Sequence, residues 1–128
     1  MKKLTKDLLV SVLVVLLLGI FSMPIAAAEK ASKNAGLQEE KVAILHAVAK
    51  VCSPKLYCKP GIPDITDGLY ATVLFKCTRK DKQCENDIAY LMKVEGKWVI
   101  KEQGTGICSD DLIKDGFPPH IAKKICGW

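Results

Sequence analysis

The six cysteines constrain this chain more than any other feature. Cys52, Cys58, Cys77, Cys84, Cys108 and Cys126 all lie after the first 50 residues. An even count in a short chain reads as a disulfide framework. The intervals between neighbours do not match the Cys-x2-4-Cys pairs of zinc sites, so neither a metal nor any other cofactor is expected. Six cysteines permit about 15 connectivities. Locality favours three bonds: Cys52–Cys58, Cys77–Cys84 and Cys108–Cys126.

A compartment that tolerates disulfides agrees with the N-terminus. "MKKLTKD" is basic, Leu8 to Met23 is apolar, and "PIAAA" offers an Ala-x-Ala cleavage site ending at Ala28. Residues 1–28 are read as a signal peptide and the protein as periplasmic or extracellular. Lys2, Lys3, Lys6 and Asp7 leave with that segment, reducing 19 basic and 14 acidic residues to 16 and 13. That balance is too mild to point to nucleic acid. Beyond the leader no apolar run reaches the ~20 residues a spanning helix needs, so no membrane association is expected after cleavage.

Residues 29–36, "EKASKNAG", are small and polar and read as a flexible lead-in. A single domain then covers 37–128. Ile44, Leu45, Val48 and Val51 recur at helical spacing until Pro54, which predicts one long amphipathic helix. "SPKLYCKPGIPDITDG" reads as an ordered loop. Three strands follow, from residues 69, 86 and 97. The tail offers a helical turn capped by Ser109 and stopped by Gly116, then a short helix from Pro119 to about Cys126.

Strand register follows from parity. Setting Cys77 opposite Cys84 places Val73 against Ile88, Ala71 against Tyr90 and Leu69 against Met92. For the next hairpin, a two-residue Glu95-Gly96 turn would pair Met92 with Val99 and leave Trp98 beside Lys93. A three-residue loop pairs Met92 with Trp98 and Tyr90 with Ile100, giving one apolar face for the long helix, and is preferred. The expected fold is α+β: one long helix on a three-stranded antiparallel meander, a short C-terminal helix and three disulfides.

With its helix and meander, "VEGKWVIKEQGTGIC" resembles the last hairpin of small exported bacterial proteins with cystatin-like or NTF2-like rolls, over about residues 68–108. The resemblance implies a fold and no activity. The Gln-x-Val-x-Gly inhibitory loop of cystatins is absent, so protease inhibition does not carry over.

Catalysis needs an acid, base or nucleophile held in a cleft. Paired cysteines leave His46 and His120 without a thiol partner. Asp110 and Asp111 sit where acids favour a helix N-terminus. An enzyme is therefore not expected. Binding has two candidate surfaces. Arg79, Lys80 and Lys82 form a basic loop between Cys77 and Cys84, for which the plainer reading is a solvated hairpin tip. Tyr70, Leu74, Leu91 and Val99 form an apolar patch on the sheet face away from the long helix, either an interface or covered by the C-terminal helix. The functional expectation is an exported, non-enzymatic protein that binds another protein or a second copy of itself, as inhibitor, chaperone or self-associating unit. The alternative is a small enzyme or small-ligand carrier with an apolar cup between helix and sheet, in which Tyr90 and Glu102 supply the polar groups.

Overall fold

A computed structural model of the chain describes residues 25–81 and 84–127. Most of the expected signal peptide, and Lys82 of the basic loop, lie outside them. The chain divides into two compact units at Leu37/Gln38. Helix α1 runs Ile25–Val48 through that boundary. Residues 29–36, expected as a loose lead-in, are therefore helical, with exposed side chains and a Lys33–Glu29 ion pair at 3.2 Å. Ala31, Ala35, Glu29, Lys30 and Lys33 favour a helix, and i,i+4 charge pairing supports one against Ser32, Asn34 and Gly36.

Within Gln38–Trp128 the elements are β1 (Cys58–Pro60), β2 (Asp64–Thr66), β3 (Tyr70–Cys77), β4 (Asp87–Val94), β5 (Lys97–Gly104), α2 (Ser109–Lys114) and α3 (Pro119–Cys126). A 3-10 turn at Pro54–Leu56 follows α1. The sheet is antiparallel in the order β1-β3-β4-β5, with β2 also pairing β3. The strands β1 and β2 arise inside the segment expected to be loop. Each is three residues long, too short for alternation to show in the sequence. Helix α2 is capped by Cys108 and not by Ser109.

The central correction concerns β4. Ala71 lies opposite Leu91 and Val73 opposite Ala89, one residue from the expected register. That slip turns β4 over. Ala71, Val73, Phe75, Ala89, Leu91 and Trp98 pack against Ile44 and Val48 of α1. Ile88, Tyr90 and Met92 instead pack with Leu112, Phe117, Ile121 and Ala122 of the C-terminal region. From Ile88 to Met92 the strand is apolar on both parities, so a one-residue slip carries no hydrophobic penalty once both faces are covered. Two alanines, Ala71 and Ala89, then face the helix beside Val73, Phe75, Leu91 and Trp98.

The same inversion selects the two-residue turn. Glu95 and Gly96 have φ of 50° and 76°, both left-handed, and Val94 pairs with Lys97. A bulge at Tyr90/Leu91 then shifts the register, so that Tyr90 lies opposite Glu102. Cys77 and Cys84 are bonded, but they are not an opposed pair in the ladder. It ends at Phe75↔Asp87, and the Asn86 side chain accepts from the Cys77 N–H at 3.1 Å. Their Cα separation of 5.7 Å suits a disulfide without opposed positions.

There are two disulfides, Cys52–Cys58 and Cys77–Cys84. The third expected bond is not formed: Cys108 and Cys126 are free thiols. The Cys108 thiol donates to Asp111 Oδ2 at 3.0 Å, and that of Cys126 points to the Ile107 carbonyl at 3.9 Å.

Leu91 is completely buried beneath α1. A lysine there would be an unpaired charge in an apolar layer. Leu91→Lys is expected to cost about 3–5 kcal/mol, read as loss of a cooperative thermal transition or a large fall in Tm. A melting temperature close to that of the parent chain would place Leu91 on a solvated face.

Candidate functional site

A groove of about 1000 Å³ lies open between the flank of α1 and the start of β5. Its helix wall includes Val42, Ala43, His46 and Ala47, with Lys50 and Val51 at the far end. Its strand wall is Gly96 to Ile100. The lining is predominantly apolar, and Val42 is 65% exposed.

One carboxylate fixes the two walls. Glu40 accepts from the Trp98 indole N–H at 2.6 Å and from the Lys93 ammonium at 2.5 Å, both contacts being partly buried. Lys93 also lies 5.7 Å from the centre of the Trp98 ring, within cation-π range. The two-residue turn puts Lys93 opposite Trp98, and Glu40 supplies the counter-charge that makes a lysine acceptable on the helix side of the sheet. These two donors hold the Glu40 carboxyl below its usual pKa, the Lys93 hydrogen bond first and the Trp98 bond second, against a smaller opposing effect of burial.

The residues expected to form sites are dispersed. Tyr70 packs against Phe117, ring centres 5.7 Å apart, under the C-terminal layer. Leu91 belongs to the opposite, helix-covered face. Leu74 and Val99 are each 41% exposed. The four do not form a common row, because the slip of β4 moves Leu91 through the sheet.

Tyr90 and Glu102 are brought together as opposed residues, but not in a cup beneath α1. Tyr90 is buried among Leu112, Phe117 and Ile121. Burial raises its pKa, with smaller contributions from Cys126 and Asp87. Glu102 accepts from the Gln103 backbone N–H at 3.0 Å.

In the basic loop, the Arg79 guanidinium grips Asp81 through Nε at 3.0 Å and Nη2 at 2.5 Å, and lies 5.3 Å from the Tyr57 ring centre. Lys80 is exposed beside them, and a shallow depression of about 390 Å³ is bounded by Tyr57, Thr78, Arg79, Lys80 and Asp81.

Asp111 accepts from both the backbone N–H and the thiol of Cys108, and these bonds lower its pKa, the thiol bond foremost. Burial pushes the Cys126 thiol up, and nearby Cys108 and Asp111 add to the effect. His120 is exposed on α3 and stands apart from the groove, whereas His46 lines it. Among the described residues no group of three or more His, Cys, Asp or Glu side chains is placed to hold a metal ion.

Sequence reasoning missed the groove. Its exposed helix residues, Val42 and Ala43, lie beside the buried stripe, and the preferred three-residue turn removed the Lys93–Trp98 pairing that Glu40 binds. The one available signal was an acid four residues ahead of the first buried helix position. No family model, curated protein or solved structure matches the chain. The likeness to cystatin-like and NTF2-like rolls therefore rests on the residues quoted above.

Glu40 offers a pH-dependent test of the clamp. Its folded-state pKa is depressed, so its contribution is present above the pKa of an unfolded glutamate and is lost as pH falls through the lower, folded value. Glu40→Gln is expected to lower stability by about 1 kcal/mol at neutral pH. In a domain of this size that is about 4–8 °C in Tm. The difference between the two proteins should shrink as the buffer is acidified below the ordinary carboxylate range. A constant difference from neutral to acid pH would mean that the charge of Glu40 contributes nothing.

Proposed function

We propose that this chain is an exported binding protein that acts by contact with another protein through the groove between α1 and β5. One observation carries the reading: an apolar, solvent-open groove flanks the outer side of β5, with an exposed valine on its helix wall. Monomeric proteins rarely leave such a surface unused. Two disulfides support an oxidising compartment, and among the described residues no helix is long and apolar enough to cross a membrane.

A small-ligand carrier is the second reading. It is favoured by the size of the groove, which lies at the upper end of the ~300–1000 Å³ typical of small-molecule sites. The open side favours a protein segment, since a ligand pocket of that kind encloses most of its occupant.

Val42→Lys tests the proposal, because Val42 is a major exposed apolar element of the wall and its replacement buries nothing. The variant is expected to keep its stability within about 0.5 kcal/mol. It should lose at least about tenfold in affinity for the protein captured by the parent chain from an envelope or culture-fluid extract. Undiminished capture would remove the groove from the binding surface. Native mass spectrometry showing a small apolar molecule bound to the parent chain and absent from the variant would favour the carrier.

A further inference from the structure

We infer that the occupant of the groove is an extended, acidic segment of a partner protein that joins the sheet as an added strand on β5; the inference rests on the binding reading above. The backbone points to this mode. Strands β1 and β2 occupy one edge of the sheet, and β5 forms the other. In a two-residue hairpin the residues flanking the turn are the hydrogen-bonded pair, here Val94 and Lys97. The pairs then alternate: Lys93–Trp98 is not bonded, Met92–Val99 is, and Leu91–Ile100 is not. Consistent with this, the Lys93 N–H turns the other way and donates to the Leu69 carbonyl at 2.8 Å. The N–H and C=O groups of Trp98 and Ile100 therefore point away from β4, along the groove. A strand laid there meets two donors and two acceptors before the bulge near Lys101 ends the template.

Side chains then select the segment. Trp98 and Ile100 lean to the helix side, so residues of an added strand directly opposite them enter the space beside Val42, Ala43 and Ala47. Two alanines leave that space open, and apolar side chains suit it. The alternate residues fall on the other face, beside Lys97 and Val99. Lys97 stands on that face at the groove, and exposed Lys101 follows at the bulge. Charge complementarity calls for acids at these alternate positions. A second copy of this chain fits poorly. Antiparallel pairing that uses both Trp98 and Ile100 brings Lys97 of each copy close to the bulged Lys101 of the other, and like charges brought together destabilise a sheet.

Synthetic eight-residue peptides in which valine alternates with glutamate, labelled with fluorescein, provide the probe for anisotropy titrations of the full mature chain. The glutamate peptide is expected to bind at least about tenfold more tightly than its lysine counterpart at low salt, with the gap narrowing as salt is added. Lys97→Glu should weaken the glutamate peptide about fivefold and strengthen the lysine one. N-methylation of the valine amides, which face β5, should abolish binding, while N-methylation of the glutamate amides should be tolerated.

Equal binding of the two methylated peptides, or a preference for lysine, overturns the inference. No peptide binding, together with protein capture that Val42→Lys abolishes, overturns strand addition and leaves the groove reading intact. Capture unaffected by Val42→Lys overturns the groove reading itself. A concentration-dependent dimer by sedimentation, competing with the peptide, identifies the occupant as a second copy and also overturns the inference.

Discussion

A single half-buried carboxylate ties together three elements of the fold. Glu40 of α1 binds Lys93 of β4 and Trp98 of β5, and these two residues face each other only because the β4–β5 turn has two residues. The helix is thereby pinned over the turn end of the last hairpin. At its other end, Cys52–Cys58 fastens the end of the helical segment to β1 on the opposite edge of the sheet. Held at Glu40 and again just beyond Val48, the later part of the helix packs on the sheet. Its Val42–Ala47 flank is left as a wall beside β5 instead of collapsing onto the strand.

The second constraint is that β4 is apolar on both sides. A strand of this kind cannot sit in a sheet with one wet face. Its inner residues pack under α1, and Ile88, Tyr90 and Met92 are sealed by α2, α3 and Phe117. With both faces occupied, the sheet's unpaired backbone lies at its edges, along the three-residue β1 and β2 on one side and the eight-residue β5 on the other. The proposed binding is therefore directed to the long β5 edge and not to a face. Lys97, Lys101 and the bulge follow the pattern by which proteins limit indiscriminate edge pairing.

Much of this was legible in the residues. The strands from 69, 86 and 97, the last helix beginning at Pro119, and two of the three disulfides follow from alternation, capping and local cysteine spacing. What failed was parity in β4. Alternation assigns a face only where polar residues mark the other one, and from Ile88 to Met92 none does. That ambiguity propagated: it placed Leu91 outside the core, put Tyr90 beneath the helix, and favoured a three-residue turn that would have separated Lys93 from Trp98. Cys77 and Cys84 bond without facing each other in the ladder, since a bond between strand ends tolerates a residue of stagger. For the third pair, Asp111 draws the Cys108 thiol into the N-terminal cap of α2, a competing partner that spacing alone does not reveal.

The central claim is that the outer edge of β5 is open in the free protein while its inner edge is paired. Residue-resolved amide hydrogen exchange of the isolated chain tests this directly. The account predicts alternation along the strand: slow exchange at Lys97 and Val99, whose N–H groups face β4, and fast exchange at Trp98 and Ile100, whose N–H groups face the groove. Uniform protection from Lys97 to Ile100 at low protein concentration would show that the edge is already covered, and would contradict the account.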